Sequence, residues 1–197
     1  MSYFTTPPHS EVKRKVLNSA LILFVEQGFF KTSLPDLVKH SGVSTGSIYH
    51  CFKDKQAIAQ SLMAALLEQI ESEQAHILSA HDTTWARYYA LCEWLMHTAQ
   101  AHPNVSRFVL QARHKEFMPD LVPICSSKPF MTLRNTLQQG MEQGVIRPMD
   151  MMVAASCAYG GVLRLIQLHL DGMLERPLME YLDEITQASW RSVTPIV

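Results

Sequence analysis

The chain has 197 residues, 47% of them hydrophobic and 18% charged, and a net charge of −1. That length and composition exclude a disordered or fibrous protein and allow a core without disulfide or metal staples. The uncharged apolar runs at 20–25 and 153–163 fall short of the roughly 18 residues a membrane span needs.

The N-terminal stretch is polar, contains Pro7 and Pro8, and has no continuous apolar segment of the kind that directs secretion. Ser10 caps a first helix running to Gln27, with Val12, Val16, Leu17, Ala20, Leu21, Leu23 and Phe24 recurring at three and four. Gly28 ends it. Ser33 with Asp36 three residues on forms a capping box, Pro35 fits a first turn, and a short helix follows to about His40. After the Ser41-Gly42 turn, Ser44 caps a helix at 45–51, and Asp54 caps a long one from Lys55 to about Ser79. Further helices are predicted at 83–101, from Pro103 to about Lys115, and near 129–143, 150–171 and 177–193. The stretch 117–129, with Pro119, Pro123 and Pro129, reads as a loop. The fold class is all-α, with about nine helices: an N-terminal domain at 1–54 and a helical body at 55–197.

Two short helices joined by a tight glycine turn are helix-turn-helix geometry. The second offers Thr45, Gly46, Ser47, Tyr49 and His50, small or hydrogen-bonding groups at the start of a helix, as a major-groove reader does. Lys53 and Lys55 at the next helix start are expected to clamp phosphate. Ser33 and Ser44, at the starts of both short helices, join this candidate DNA-facing set. Residues 1–60 carry seven basic groups against four acids, and the remainder ten against fourteen. A basic head on an acidic body agrees with a head that meets phosphate.

Val16-Leu17, Ala20, Phe24, Gly28-Phe29, Thr32-Ser33, Gly42-Val43-Ser44, Gly46-Ser47-Ile48-Tyr49-His50, Phe52-Lys53 and Lys55 resemble the N-terminal signature of TetR-family transcriptional regulators over roughly residues 10–60. The resemblance implies three DNA-binding helices. It also implies a C-terminal body that forms a homodimer and binds a small effector, which releases a palindromic operator. It further implies DNA contacts from Thr32, Thr45, Ser47, Tyr49, His50 and Lys55. Val38 departs from the pattern where alanine is usual at the crossing of the two helices, and Cys51 departs where an aromatic or histidine is usual.

In the body, Trp85, Tyr88, Tyr89, Cys92, Met96, Phe108, Phe117, Phe130 and Tyr159 are candidate pocket residues for an apolar effector. The helix near 150–171 is apolar nearly all round except at Arg164, Gln167 and His169, so one side is expected to face a second subunit. Tyr159, Leu163, Ile166, Leu178, Leu182 and Ile185 are the candidate interface, and Arg164 there would need a partner.

Glu73 and His76 make a single Glu-x-x-His, where a di-iron bundle needs two. No histidine pair has helical metal-ligand spacing, and no metal or cofactor is expected. Cysteines 51, 92, 125 and 157 are too far apart for a metal knuckle or redox pair, which fits reduced thiols in a cytoplasm. Cys51 has two readings, a redox switch beside Lys53 and Lys55 or a half-buried filler. The expected function is a ligand-responsive DNA-binding regulator, a repressor, with no membrane partner. The alternatives are a helical ligand-binding protein that has lost DNA binding, or a helical enzyme. No paired carboxylates or nucleophile–base pair support an enzyme.

Overall fold

Side-chain caps set where most helices begin in the computed structural model, which describes residues 3–4, 10–119 and 126–195. Cys125 and Pro123 lie outside the described residues. Helix α1, Glu11–Glu26, starts where the Ser10 hydroxyl accepts from the Lys13 amide. Helix α2, Leu34–Ser41, carries the full capping box between Ser33 and Asp36 and ends on Gly42, whose φ of 66° is the left-handed conformation that glycine tolerates. Ser44 caps α3, Thr45–Cys51, through the Ser47 amide. Asp54 accepts from the Ala57 amide at 2.7 Å at the head of α4, Lys55–Ala80.

Thr83 caps α5, Thr84–Ala101. Beyond Pro103 the expected single helix to Lys115 is broken. Helix α6, Pro103–Ser106, widens into a π-helix over Arg107–Gln111, closed by the Ala112 amide on the Arg107 carbonyl at 3.1 Å. Ala112 is then extended, and a short α7 spans His114–Phe117. The rest comprises α8 (Lys128–Glu142), α9 (Met151–Leu170), a 3-10 turn (Leu178–Tyr181) and α10 (Leu182–Val193). No strand occurs among the described residues.

The chain divides into two compact units, Met1–Glu68 with Asn104–Val122, and Gln69–Pro103 with Pro123–Val197. The predicted boundary at residue 54 therefore differs from the division within α4. The sequence after Pro103 returns to the first unit, where the π-helical segment packs on α1. In that unit α1, α2 and α3 pack on one another around Val16, Leu17, Ala20, Leu37 and Ile48, all buried.

In the second unit α5, α8, α9 and α10 form a helical body cored by Tyr88, Leu91, Cys92, Leu137, Val162 and Leu178. Close approach needs glycine twice. A β-carbon on Gly140 would lie 2.7 Å from Ile146 Cδ1 and 2.8 Å from Thr84 Cγ2, and one on Gly161 would lie 2.7 Å from Ile185 Cδ1. By length and mean hydropathy, 1.4, α9 also meets the requirement for a membrane span, which the uncharged runs alone did not suggest. Exposed Arg164 in its middle and its packing on α5, α8 and α10 make it a helix of the body.

Candidate functional site

The two short helices of the first unit are held by apolar contacts on one side and leave the other free. Leu37, Val43 and Ile48 are buried, whereas Ser44, Thr45, Gly46, Tyr49, His50 and Lys53 are exposed. Tyr49 is 56% exposed. One exposed large aromatic on a short helix beside two serine hydroxyls gives both stacking area and hydrogen-bonding capacity. Ser44 and Ser47 hydroxyls lie 2.9 Å apart, and Ser44 also accepts from the Ser47 amide at 3.2 Å. Ser47 is half-buried, and its hydroxyl is positioned by that of Ser44. The α2 end is tied to α1 by His40 Nδ1 and Ser19 Oγ, 2.9 Å apart. Val38, the crossing residue, is half-buried. Cys51 is exposed rather than half-buried.

Three expected DNA contacts are engaged internally. Thr32 is buried, and its hydroxyl lies 2.9 Å from the Gly28 carbonyl and 3.3 Å from that of Leu23. It closes the turn between α1 and α2 and has no surface to offer. Ser33 donates its hydroxyl to Asp36 Oδ2 at 2.5 Å within the capping box, which holds the Asp36 carboxyl below its ordinary pKa. Lys55 turns inward. Its ammonium donates to the carbonyls of Phe29 at 2.7 Å and Thr32 at 2.8 Å, and sits 4.3 Å from the Phe29 ring centroid. Burial lowers its pKa. Lys55 thus fastens the α1–α2 turn to the start of α4, while exposed Lys53 remains the cation facing solvent.

The aromatic residues of the second unit form a closed cluster. Trp85 lies 5.8 Å from both Tyr88 and Tyr89 and 5.2 Å from Trp190, and Tyr88 lies 5.4 Å from Tyr159. The Tyr88 hydroxyl donates to the Ala158 carbonyl at 2.8 Å. Burial raises the pKa of Tyr88 and of Tyr159, and pushes the Cys92 thiol up to about 12, so that thiol stays protonated and unreactive. Tyr89 is pushed up to about 12, chiefly by its hydrogen bond to Asp183. Met96 is buried in the same unit, and Phe130 is half-buried on α8.

Phe108 and Phe117, predicted with this set, belong to the first unit and line a cavity of about 290 Å³ there. A residue that periodicity did not single out is Gln74. It is buried on α4, and its Oε1 has no hydrogen-bond partner. The Trp94 indole donates to neighbouring Glu73 at 2.6 Å. Among the described residues no three His, Cys, Asp or Glu side chains converge as metal ligands.

The predicted interface residues are mostly internal. Tyr159, Ile166, Leu178 and Leu182 are buried within the chain because α9 and α10 pack on each other, with Ile185 seated against Gly161. Leu163 and Ile185 keep partial exposure, and Arg164 is exposed, so it needs no partner. The apolar surface left open on α9 is Met152, 58% exposed, and Val153, 51% exposed.

Residues 16–62 match the family described as bacterial regulatory proteins, tetR family. The transcriptional repressor KstR2 of Mycolicibacterium smegmatis is 25% identical over 150 residues, 73% of this chain and 72% of that protein. A TetR family transcription regulator from Marinobacter aquaeolei superposes with a TM-score of 0.80 at 17% identity, over 94% of this chain and 97% of that one. The transcriptional regulator FadR of Bacillus subtilis, solved in complex with stearoyl-CoA, gives 0.78 at 17%, over 91% and 98%.

Proposed function

We propose that the chain, whose residues 16–62 match the family described as bacterial regulatory proteins, tetR family, is a ligand-responsive repressor that binds a palindromic operator as a homodimer. The observation that carries this reading is the exposed face of α3. Tyr49, His50, Thr45 and Gly46 stand free over a fully buried Ile48, on a helix whose start is fixed by Ser44. Such a face reads base edges, and Lys53 supplies a phosphate contact that positions it.

Two copies would read successive major grooves about one DNA turn apart, roughly 34–36 Å. The outward side of α9, with Met152, Val153 and Leu163, is the surface that meets the second copy. The effector is a small, largely apolar molecule taken into the helical body, where Gln74 Oε1 is a buried acceptor awaiting a donor. Coupling runs along α4, which contributes residues to both units. The protein is a regulator rather than an enzyme and works in the cytoplasm, where its operator lies.

A salt-titrated mobility shift on the DNA flanking the protein's own gene tests the reading. Wild type should shift that fragment in preference to random DNA. Tyr49→Ala should weaken the specific shift by about 1–3 kcal/mol and leave non-specific binding nearly unchanged. Equal affinity for flanking and random DNA in wild type would refute operator recognition.

A further inference from the structure

We propose that the cavity of the first unit is a binding site for a small two-ring aromatic carboxylate, separate from the effector site of the helical body. The proposal does not depend on operator binding. The site is a half-open pocket at the surface of the first unit, with Phe30, Lys31 and Arg113 exposed at its mouth. At about 290 Å³ it approaches the lower end of the roughly 300–1,000 Å³ seen for small-molecule pockets.

Five phenyl rings line it: Phe24, Phe29, Phe108 and Phe117, with exposed Phe30 at the rim. They are already arranged for aromatic contact. Phe29 stacks on Phe117 at 4.5 Å and 13°, and Phe24 on Phe108 at 6.4 Å and 24°. The chain leaves helical geometry on both sides of the pocket. One break is at Gly28, where φ is 86°, and the other is at Ala112, where ψ is 141°.

The charge at this site selects the sign of an occupant. Lys31 and Arg113 line the cavity from exposed positions, Arg113 with its side chain 83% exposed, against a single acid, Glu116. Glu116 pairs with Arg113 at 3.2 Å, and Lys31 makes no ion pair among the described residues. Apolar walls under one uncompensated ammonium suit a flat hydrocarbon ending in a carboxylate. A polar atom without a partner lies close by: His114 Nε2 is buried and unbonded, with its ring edge-on to Phe108 at 5.2 Å and to Phe117 at 5.9 Å. Phe29 links the wall to the reading helices, because its carbonyl takes the Lys55 ammonium and its turn leads through Thr32 into α2. An occupant therefore bears on the entry to the helix-turn-helix.

Isothermal titration calorimetry with 2-naphthoate, and with neutral 2-naphthylmethanol as comparator, tests this on the full chain. Wild type should bind naphthoate at the cavity, and Ala112→Trp, which fills it, should lose one equivalent per chain. Lys31→Glu should weaken naphthoate roughly three- to five-fold, as for an exposed charge pair, and leave naphthylmethanol unchanged. If Ala112→Trp does not fold by circular dichroism, Lys31→Glu decides alone, since its side chain is exposed. Absence of naphthoate binding by wild type, or unchanged naphthoate stoichiometry and affinity in the folded variants, overturns the site. Equal weakening of both probes by Lys31→Glu overturns its anionic character.

Discussion

Replacing Lys55 by methionine keeps the aliphatic stem and removes the ammonium, which isolates what the charge does. The ammonium holds two backbone carbonyls, at 2.7 and 2.8 Å, and lies 4.3 Å from the Phe29 ring. A hydrogen bond to a charged group contributes about 1.5–3 kcal/mol when desolvated, and a cation–π contact roughly 0.5–1. Lys55 is only part-buried, so water replaces a share of both, and the net loss comes to about 2 kcal/mol. For a chain of this size that lowers the melting temperature by roughly 4–8 °C, read by far-ultraviolet circular dichroism on the DNA-free protein. A lysine that served only to touch phosphate would leave the free protein's melt unchanged and flatten the salt dependence of DNA binding by about one phosphate contact. An unshifted melt for Lys55→Met would refute the internal role drawn from its geometry.

Three further outcomes follow from geometry and charge. Gly140→Ala forces a methyl against Ile146 and Thr84 and should cost about 1–3 kcal/mol despite the better helix propensity of alanine, with Ile146→Val recovering part of it in a double-mutant melt. Burial holds both His102 and His114 below the ordinary histidine value of 6.5. The unfolded chain therefore takes up protons first, and stability should be full above about pH 6.5 and fall as pH drops below it; denaturant melts across that range should show His114→Gln with a shallower fall. Val153→Asp places a charge on the exposed side of α9 and should yield folded monomers in sedimentation, whereas Leu182→Asp, buried in the chain, should unfold the body instead.

Helix starts were legible because their chemistry is local. Ser10, Ser33 with Asp36, Ser44 and Thr83 each bond an amide three residues on, and such bonds need no tertiary partner to form. The exposed set on α3 was legible for the same reason, since a seven-residue helix with one buried isoleucine has only one other side. Lys55 was not, because four rotatable bonds let its ammonium reach solvent or two carbonyls, and only the position of the Phe29 turn decides. The apolar stripes on α9 and α10 showed that something covers them. They could not show that the cover is each other, with Ile185 fitted to Gly161. The π-helix at Arg107–Gln111 has no glycine or proline to announce it. Phe108 within it lies 6.4 Å from Phe24, a contact between residues far apart in sequence.

The placement of the indoles makes the two units optically distinct. Trp85 and Trp190 sit in the aromatic cluster and Trp94 on the same α5, so all three tryptophans fall within the second unit. Tryptophan emission therefore reports the helical body alone, while backbone dichroism sums both units. A perturbation confined to the first unit, as in Lys55→Met, registers in dichroism and reaches the fluorescence curve only through its coupling to the body. The gap between the two unfolding curves measures how strongly the fate of one unit is tied to that of the other.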